Sequence, residues 1–354
     1  MNIKVHSSEL NRMLKTITQC IDPKSQRLAN IEIIYDNNLL SVRGSNGQIS
    51  AVMSTPLLGG DGESFCVDGT MFARVCSMCS GEVSIETDAK NCIVKGAGRT
   101  RIPIIQADIP AFERVNGNTC SVRSEVLSRG FSSVSYAISA DQNRPVLTGI
   151  LMESTDDGVR MITIDGFRMA VETIQCQTEQ FKAIVPGTFI KLVSASTYAG
   201  EVVKLQTNGK RIQASTDGMM IACTLLTGDF PDYNRIMPTS YKTESILHAD
   251  ALQSTLKCGS VVNAGNNLVK LIVEENDVKI MSNSEEADYE AEVACITNGE
   301  GLKIAFNLKY MMETIASITE NEITMHFNSS NSPCIITPKN SNGFRLILPV
   351  RVMG

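Results

Sequence analysis

Three stretches of this chain can be laid over one another, and that repetition limits its fold more than any other feature. Gly69–Val75 (GTMFARV) aligns with Gly187–Val193 (GTFIKLV), and Asn307–Glu313 (NLKYMME) takes the same place near the end. After each comes a polar break and a hairpin-like pair, beginning at Gly81, Gly200 and Asn321. The first two copies leave through proline-containing exits, QADIPAFERV from Gln106 and LTGDFPDYNRIMP from Leu226. Proline fixes φ and disfavours helix in the residue before it, so the chain turns there as it comes off a strand. A period of roughly 115 residues is the size of a domain rather than of a solenoid unit. Three homologous domains are therefore expected, at residues 1–117, 118–241 and 242–354.

Within each third the hydrophobic pattern has two helical stretches and several short alternating strands. Leu10, Met13, Leu14 and Ile17 share one helical face; Leu127, Phe131, Val134 and Ile138 share a second; Leu252, Leu256 and Val262 share a third. The aligned segments supply the second helix of each third, as in Leu308, Met311, Met312 and Ile315. Asn46-Gly47, Asp157-Gly158, Asn208-Gly209, Asp217-Gly218 and Asn342-Gly343 mark turns between strands. The expected class is α+β, with two helices packed on antiparallel sheet in each domain.

The net charge of −6 by itself argues against a nucleic-acid partner, but its distribution argues otherwise. The six helical segments (7–20, 70–79, 123–138, 188–199, 249–262 and 307–319) hold eight of the 32 Lys and Arg and four of the 38 Asp and Glu, leaving 24 against 34 elsewhere. The eight are Arg12, Lys15, Arg74, Arg123, Arg129, Lys191, Lys257 and Lys309. Ordinary solvated helix faces would account for counts this small. The alternative is a positive surface facing a polyanion, held by phosphate contacts that read no sequence. Trp is absent, and on the helices only Tyr136 and Tyr310 are candidates for exposed aromatics, so single strands would find few stacking platforms. Duplex is the better fit.

Catalytic and cofactor motifs are not evident, and no metal or cofactor is expected. Cys76-x-x-Cys79 lies on the apolar face of a helix with Phe72 and Val75, where packing explains it, and no second pair stands at ligand spacing. His6, His248 and His326 are far apart in sequence. Gly96-Ala97-Gly98-Arg99 lacks the spacing of a phosphate loop. The eleven scattered cysteines have no framework, which suits reduced thiols in a cytoplasm, and the N-terminal MNIKVHSSEL has no secretory core.

Four segments in order, Asn143–Gly149 (NRPVLTG), Asp165–Ala170 (DGFRMA), Gly228–Tyr233 (GDFPDY) and Leu348–Arg351 (LPVR), resemble the bacterial β sliding clamp family. The clamps are the processivity subunits of the replicative DNA polymerase III, and the resemblance spans the whole chain. It implies three clamp domains per chain, a head-to-tail homodimer closing a ring on double-stranded DNA, and a non-enzymatic role as a cytoplasmic, nucleoid-associated tether. It also implies a peptide-binding cleft for the polymerase, the clamp loader and repair factors. By position that cleft would comprise Leu147, Gly166, Arg168, Met169, Pro231, Arg235, Ile236, Asn307, Tyr310 and Pro333, closed by Ile347, Leu348, Pro349, Val350 and Arg351. The subunit seam would set Arg99 and Arg101 against Glu285, Glu286 and Asp288, around Ile102 and Val261. Lys24, Arg27 and Arg144 would join the helix bases at the DNA. The family usually carries Thr before the Asp-Gly and His after it; here Ile164 and Phe167 stand there, and the tail runs on through Val352-Met353-Gly354.

Two rivals remain at the level of sequence. One is a hydrolase or redox enzyme using Cys76 or Cys79, which requires an exposed thiol of depressed pKa. The other is a protein-interaction scaffold of the same fold that never closes into a ring.

Overall fold

The computed structural model describes residues 2–351 apart from Ala264 and Asn266; the Val352–Gly354 extension lies outside the described residues. Among the described residues six α-helices form where the periodicity places them: α1 Ser7–Ile17, α2 Gly69–Ser77, α3 Ser124–Val134, α4 Gly187–Ser196, α5 Ala249–Val262 and α6 Leu308–Ala316. Their ends have local causes. The Asp68 carboxylate accepts from Met71 N at 2.7 Å to cap α2, and the Asn307 side chain accepts from Tyr310 N at 3.1 Å to cap α6. The third helical segment is shorter than its hydrophobic pattern suggests. Arg123 ends the strand Asn118–Arg123, and the stretch after Val134 tightens into a 3₁₀ turn over Ser135–Ala137.

The chain packs as two compact units, residues 2–127 with 176–225, and residues 128–175 with 226–351. Both units break the expected 118–241 domain into parts, because strands from neighbouring repeats pair with one another. In the first unit a five-stranded sheet runs in the order 59–61, 2–6, 82–87, 91–96, 98–103. A nine-stranded sheet joins Met219–Thr224 to Ile49–Pro56, with Met219 opposite Met53 and Cys223 opposite Ile49. Helices α1 and α4 meet where the Thr16 and Ser196 hydroxyls hydrogen bond at 2.8 Å.

The second unit repeats this joint. Arg168–Gln175 pairs with Phe344–Ile347, placing Arg168 opposite Ile347 and Val171 opposite Phe344. The sheet continues through Cys334–Pro338, Glu322–Phe327 and Thr243–His248 to Asp288–Gly299, Asp277–Asn283, Leu268–Val273 and Leu302–Asn307. Its core is apolar, with Leu252, Leu256, Phe306, Met311, Ile315 and Phe327 all buried.

A buried charge stands beside that core. At the register where the first joint sets Ala51 opposite Ile221, the second sets Ala170 opposite Arg345. Arg345 is 1% exposed. Its guanidinium donates to the carbonyls of Val171 at 2.7 Å and Phe344 at 3.2 Å, and to the Glu172 carboxylate at 2.9 Å. Gly343 lets the strand come this close, since a Cβ there would sit 2.5 Å from the Val171 carbonyl oxygen. A buried charge stripped of its partner is costly. Arg345→Met, which leaves Glu172 facing no cation, should therefore lower unfolding stability by about 3–5 kcal/mol, read from chemical denaturation midpoints at constant slope.

Candidate peptide cleft, strand edges and basic faces

The second unit gathers most of the predicted cleft around one arginine. The turn Asp165-Gly166-Phe167 precedes the joint strand, and Asp165 Oδ1 accepts from the backbone nitrogens of Phe167 at 2.8 Å and Arg168 at 3.0 Å. The turn needs Gly166, whose φ is +97° and whose missing Cβ would lie 3.2 Å from the Arg144 guanidinium. Asn46 makes the same turn in the first unit, accepting from Gln48 N and Ile49 N at 3.0 and 2.8 Å. The two joints thus share a backbone but differ at the next residue: Ile49 in one, Arg168 in the other.

Arg168 is 7% exposed. It donates to Asp165 Oδ2 at 2.9 Å and to the Tyr136 carbonyl at 2.7 Å, and forms an ion pair with Glu313 at 2.5 Å. The rings of Tyr310 and Tyr136 lie 4.4 and 5.1 Å from its guanidinium carbon. Tyr136 and Tyr310, candidates for exposed aromatics on sequence, both lie against this arginine. Removal from solvent pushes the Tyr136 phenol above its ordinary pKa, against the opposing pull of Arg345 and Arg168. Sequence reasoning found Arg168 but missed the Asp165, Tyr136 and Glu313 groups that hold it, and missed Arg345 and Glu172 altogether. The i, i+3 spacing of Asp165 and Arg168 was the one available signal.

Apolar groups stand exposed beside this arginine. Phe167 is 55% exposed and its ring centroid is 5.7 Å from that of Tyr310. The Phe167 carbonyl accepts from Leu348 N at 2.9 Å, and Val350 N donates to the Ala305 carbonyl at 2.8 Å, so the tail Leu348-Pro349-Val350 is tied along the site. Leu348 and Val350 remain exposed, as does Arg351, whereas Ile347, Met169 and Leu147 are buried. Pro333 precedes the strand that pairs with Ile347. Pro231, Arg235 and Ile236 lie on or beside the 3₁₀ turn Tyr233–Ile236, which Tyr233 anchors to Glu153. Ile236 is exposed, and Arg235 pairs with Asp232 at 3.0 Å.

Two strand edges differ in charge. Gly98–Pro103 closes its sheet and presents exposed Arg99 and Arg101, while Asp288–Ala294 pairs on one side only, with Asp277–Asn283. Asp288, Glu290 and Glu292 alternate outward along that second edge, near exposed Glu285 and Glu286. Ile102 corrects the expectation of an apolar seam centre. At 2% exposure it packs inside the first unit, because alternation along the strand turns it inward when Arg99 and Arg101 face out. Val261 is 83% exposed.

The predicted DNA-facing bases fall into two groups. Lys15, Lys24, Arg74, Arg129, Lys191 and Lys257 are exposed with no acidic partner among the described residues. The other five are engaged: Arg12 with Glu9, Arg27 with Asp108, Arg123 with Glu125, Arg144 with Asp141 and Lys309 with Glu313. Arg12 also lies over Tyr198, on the wall of a cavity of about 440 Å³ in the first unit.

Two family descriptions match the chain: "DNA polymerase III beta subunit, central domain" over residues 121–232 and "C-terminal domain" of the same subunit over 234–351, together well over half of the sequence. The chain belongs to the DNA polymerase III beta subunit family, the sliding clamps of DNA replication. The Beta sliding clamp of Lactococcus lactis is 25% identical over 99% of each chain, and that of Staphylococcus epidermidis 26% identical over 97% of this chain and 96% of its own. The fold is that of solved clamps. The Pseudomonas aeruginosa sliding clamp bound to griselimycin superposes with a TM-score of 0.93 at 21% identity, and the Thermotoga maritima beta subunit with 0.90 at 23%, each over 99% of this chain and 100% of the other.

For a clamp, the thiols read as packing. Cys76 and Cys79 are both buried, and burial pushes the Cys76 thiol up. Cys20, Cys92 and Cys223 are pushed up to about 12 by burial. An acid whose pKa rises stays protonated to higher pH, and the thiolate is the nucleophile. Iodoacetamide at pH 8 should therefore label exposed Cys258 in the native protein within minutes and leave Cys20, Cys76, Cys92 and Cys223 unlabelled until denaturant is added, as read by peptide mass mapping.

Proposed function

We propose that two copies of this chain close head to tail into a ring around duplex DNA, and that the ring carries replication and repair proteins by short peptides seated beside Arg168. The observation that carries the ring is the pair of unpaired strand edges with opposite charge. Arg99 and Arg101 at one edge fit Asp288, Glu290 and Glu292 at the other edge of a second copy. A head-to-tail contact that closes after two copies makes a ring rather than a filament. Opposite charges there set register and partner choice more than strength. On this reading each chain is three clamp domains, 1–117, 118–241 and 242–354, acting in the cytoplasm at the nucleoid.

The six unpaired bases suit duplex held by its phosphates. Such contacts are weak, salt-dependent and blind to sequence, so a ring can slide while topology keeps it in place. The cleft suits a peptide with apolar side chains. Phe167, Leu348 and Val350 offer exposed apolar surface beside a fixed, neutralised arginine, and Ile236 adds exposed apolar surface on the turn Tyr233–Ile236; such anchors concentrate binding energy. The polymerase and the clamp loader are the expected owners of such peptides.

The ring is tested by topology. Loaded onto nicked circular plasmid by its loader, the protein should leave when the plasmid is linearised; retention on the linear form would show ordinary tight binding. The phosphate reading is tested separately. Replacing Lys15, Lys24 and Arg74 by Ala should reduce the slope of log affinity against log salt by about 0.9 for each phosphate no longer neutralised, without changing sequence preference.

A further inference from the structure

The chain leaves the first unit after Leu127 and returns to it at Cys176. Cys176 lies beside Cys120, on the strand that precedes the departure, with the two sulfurs 3.3 Å apart. The register explains the meeting. Cys120 pairs with Thr178, so Cys176, two residues earlier on the returning chain, is its diagonal neighbour on the same face. Cys120 is 1% exposed, whereas Cys176 is partly open to solvent. The other cysteines of the first unit, Cys20, Cys76, Cys79, Cys92 and Cys223, are buried in its core apart from Cys66.

We propose that Cys120 and Cys176 are a reversible redox pair whose disulfide staples the outgoing chain to the returning chain at the edge of the nine-stranded sheet. A peroxide supplies the oxidising equivalents. The accessible Cys176 sulfur attacks one peroxide oxygen, the O–O bond breaks, and Cys176 sulfenic acid and one water or alcohol are formed. The Cys120 sulfur then attacks the Cys176 sulfur. The S–S bond forms as the S–O bond breaks, and the hydroxyl leaves with the Cys120 proton as water. Two thiols lose two electrons in all, and a dithiol reductant reverses the change. The more open Cys176 is the sulfur that peroxide reaches first, and buried Cys120 lies within 3.3 Å to resolve it. The staple is independent of the ring and of the cleft. Its effect is on opening of the strand Asn118–Arg123, which is held on its inner side along its whole length by Val202–Thr207 and on its outer side by the short segment from Gln177 to Glu179.

The test uses the full chain treated with hydrogen peroxide under native conditions, followed by peptide mapping without reductant. The expected product is a Cys120–Cys176 linked peptide that forms before any other disulfide and disappears on adding dithiothreitol. Hydrogen exchange at Asn118–Arg123 should then slow by about tenfold relative to the reduced protein. Cys176→Ser, whose folding is checked by its thermal transition, should abolish both changes. The proposal is overturned if peroxide oxidises Cys258 while Cys120 and Cys176 stay reduced, if either pairs with another cysteine first, or if the linked protein exchanges at the unlinked rate.

Discussion

The structure depends on strands from successive repeats completing one another's sheets. Phe344–Ile347 adds to the edge that Arg168–Gln175 would otherwise leave open, and Met219–Thr224 does the same for Ile49–Pro56. An unpaired strand edge invites association, so each pairing removes a liability while it fastens neighbours. Both ladders are antiparallel and both place a small residue, Ala51 or Ala170, at the centre of the joint. What faces that alanine decides the character of the joint. Ile221 makes the first one apolar; Arg345, satisfied by two carbonyls and Glu172, makes the second one polar and directional.

That difference shapes the candidate site. The same turn geometry precedes both joint strands, with Asn46 or Asp165 accepting two backbone nitrogens. Only the second turn leads into an arginine, and only there do two tyrosines and two acids fix it. A duplicated module has thus been specialised by a few side chains while its backbone stayed the same. The tail reinforces this. By donating from Leu348 N to the Phe167 carbonyl it holds apolar side chains at the rim, where solvent can still reach them. Phe167 adds an uncharged ring to the one that Tyr310 supplies.

Much of the fold was legible because hydrophobic period and turn chemistry agree locally. The faces Leu10, Met13, Leu14 and Ile17, or Leu308, Met311 and Ile315, are buried as their spacing requires. The division into compact units was not legible, since it follows from strand pairing between repeats, which no local period records. The cleft was expected from family resemblance, at Arg168 and the tail. Glu172 and Arg345 escaped notice because a charged residue in a short strand reads as solvent-facing until its partner across the ladder is known. Ile102 was misplaced for a related reason: alternation along its strand is masked by Arg99 and Arg101 on either side of Thr100. Among the bases, charge counting could not separate Lys15 and Arg74 from Arg12 and Arg144, because ion pairs such as Arg144–Asp141 depend on side-chain placement.

The proposed ring would rest on edges of opposite charge meeting between two chains. The mass of the protein in solution at micromolar concentration, measured by light scattering, tests this most directly. Edge-to-edge closure predicts a single species of twice the 38.5 kDa chain mass that dissociates when Arg99 and Arg101 are both replaced by Glu. A monomer of 38.5 kDa across that concentration range, unchanged by the substitutions, would contradict it.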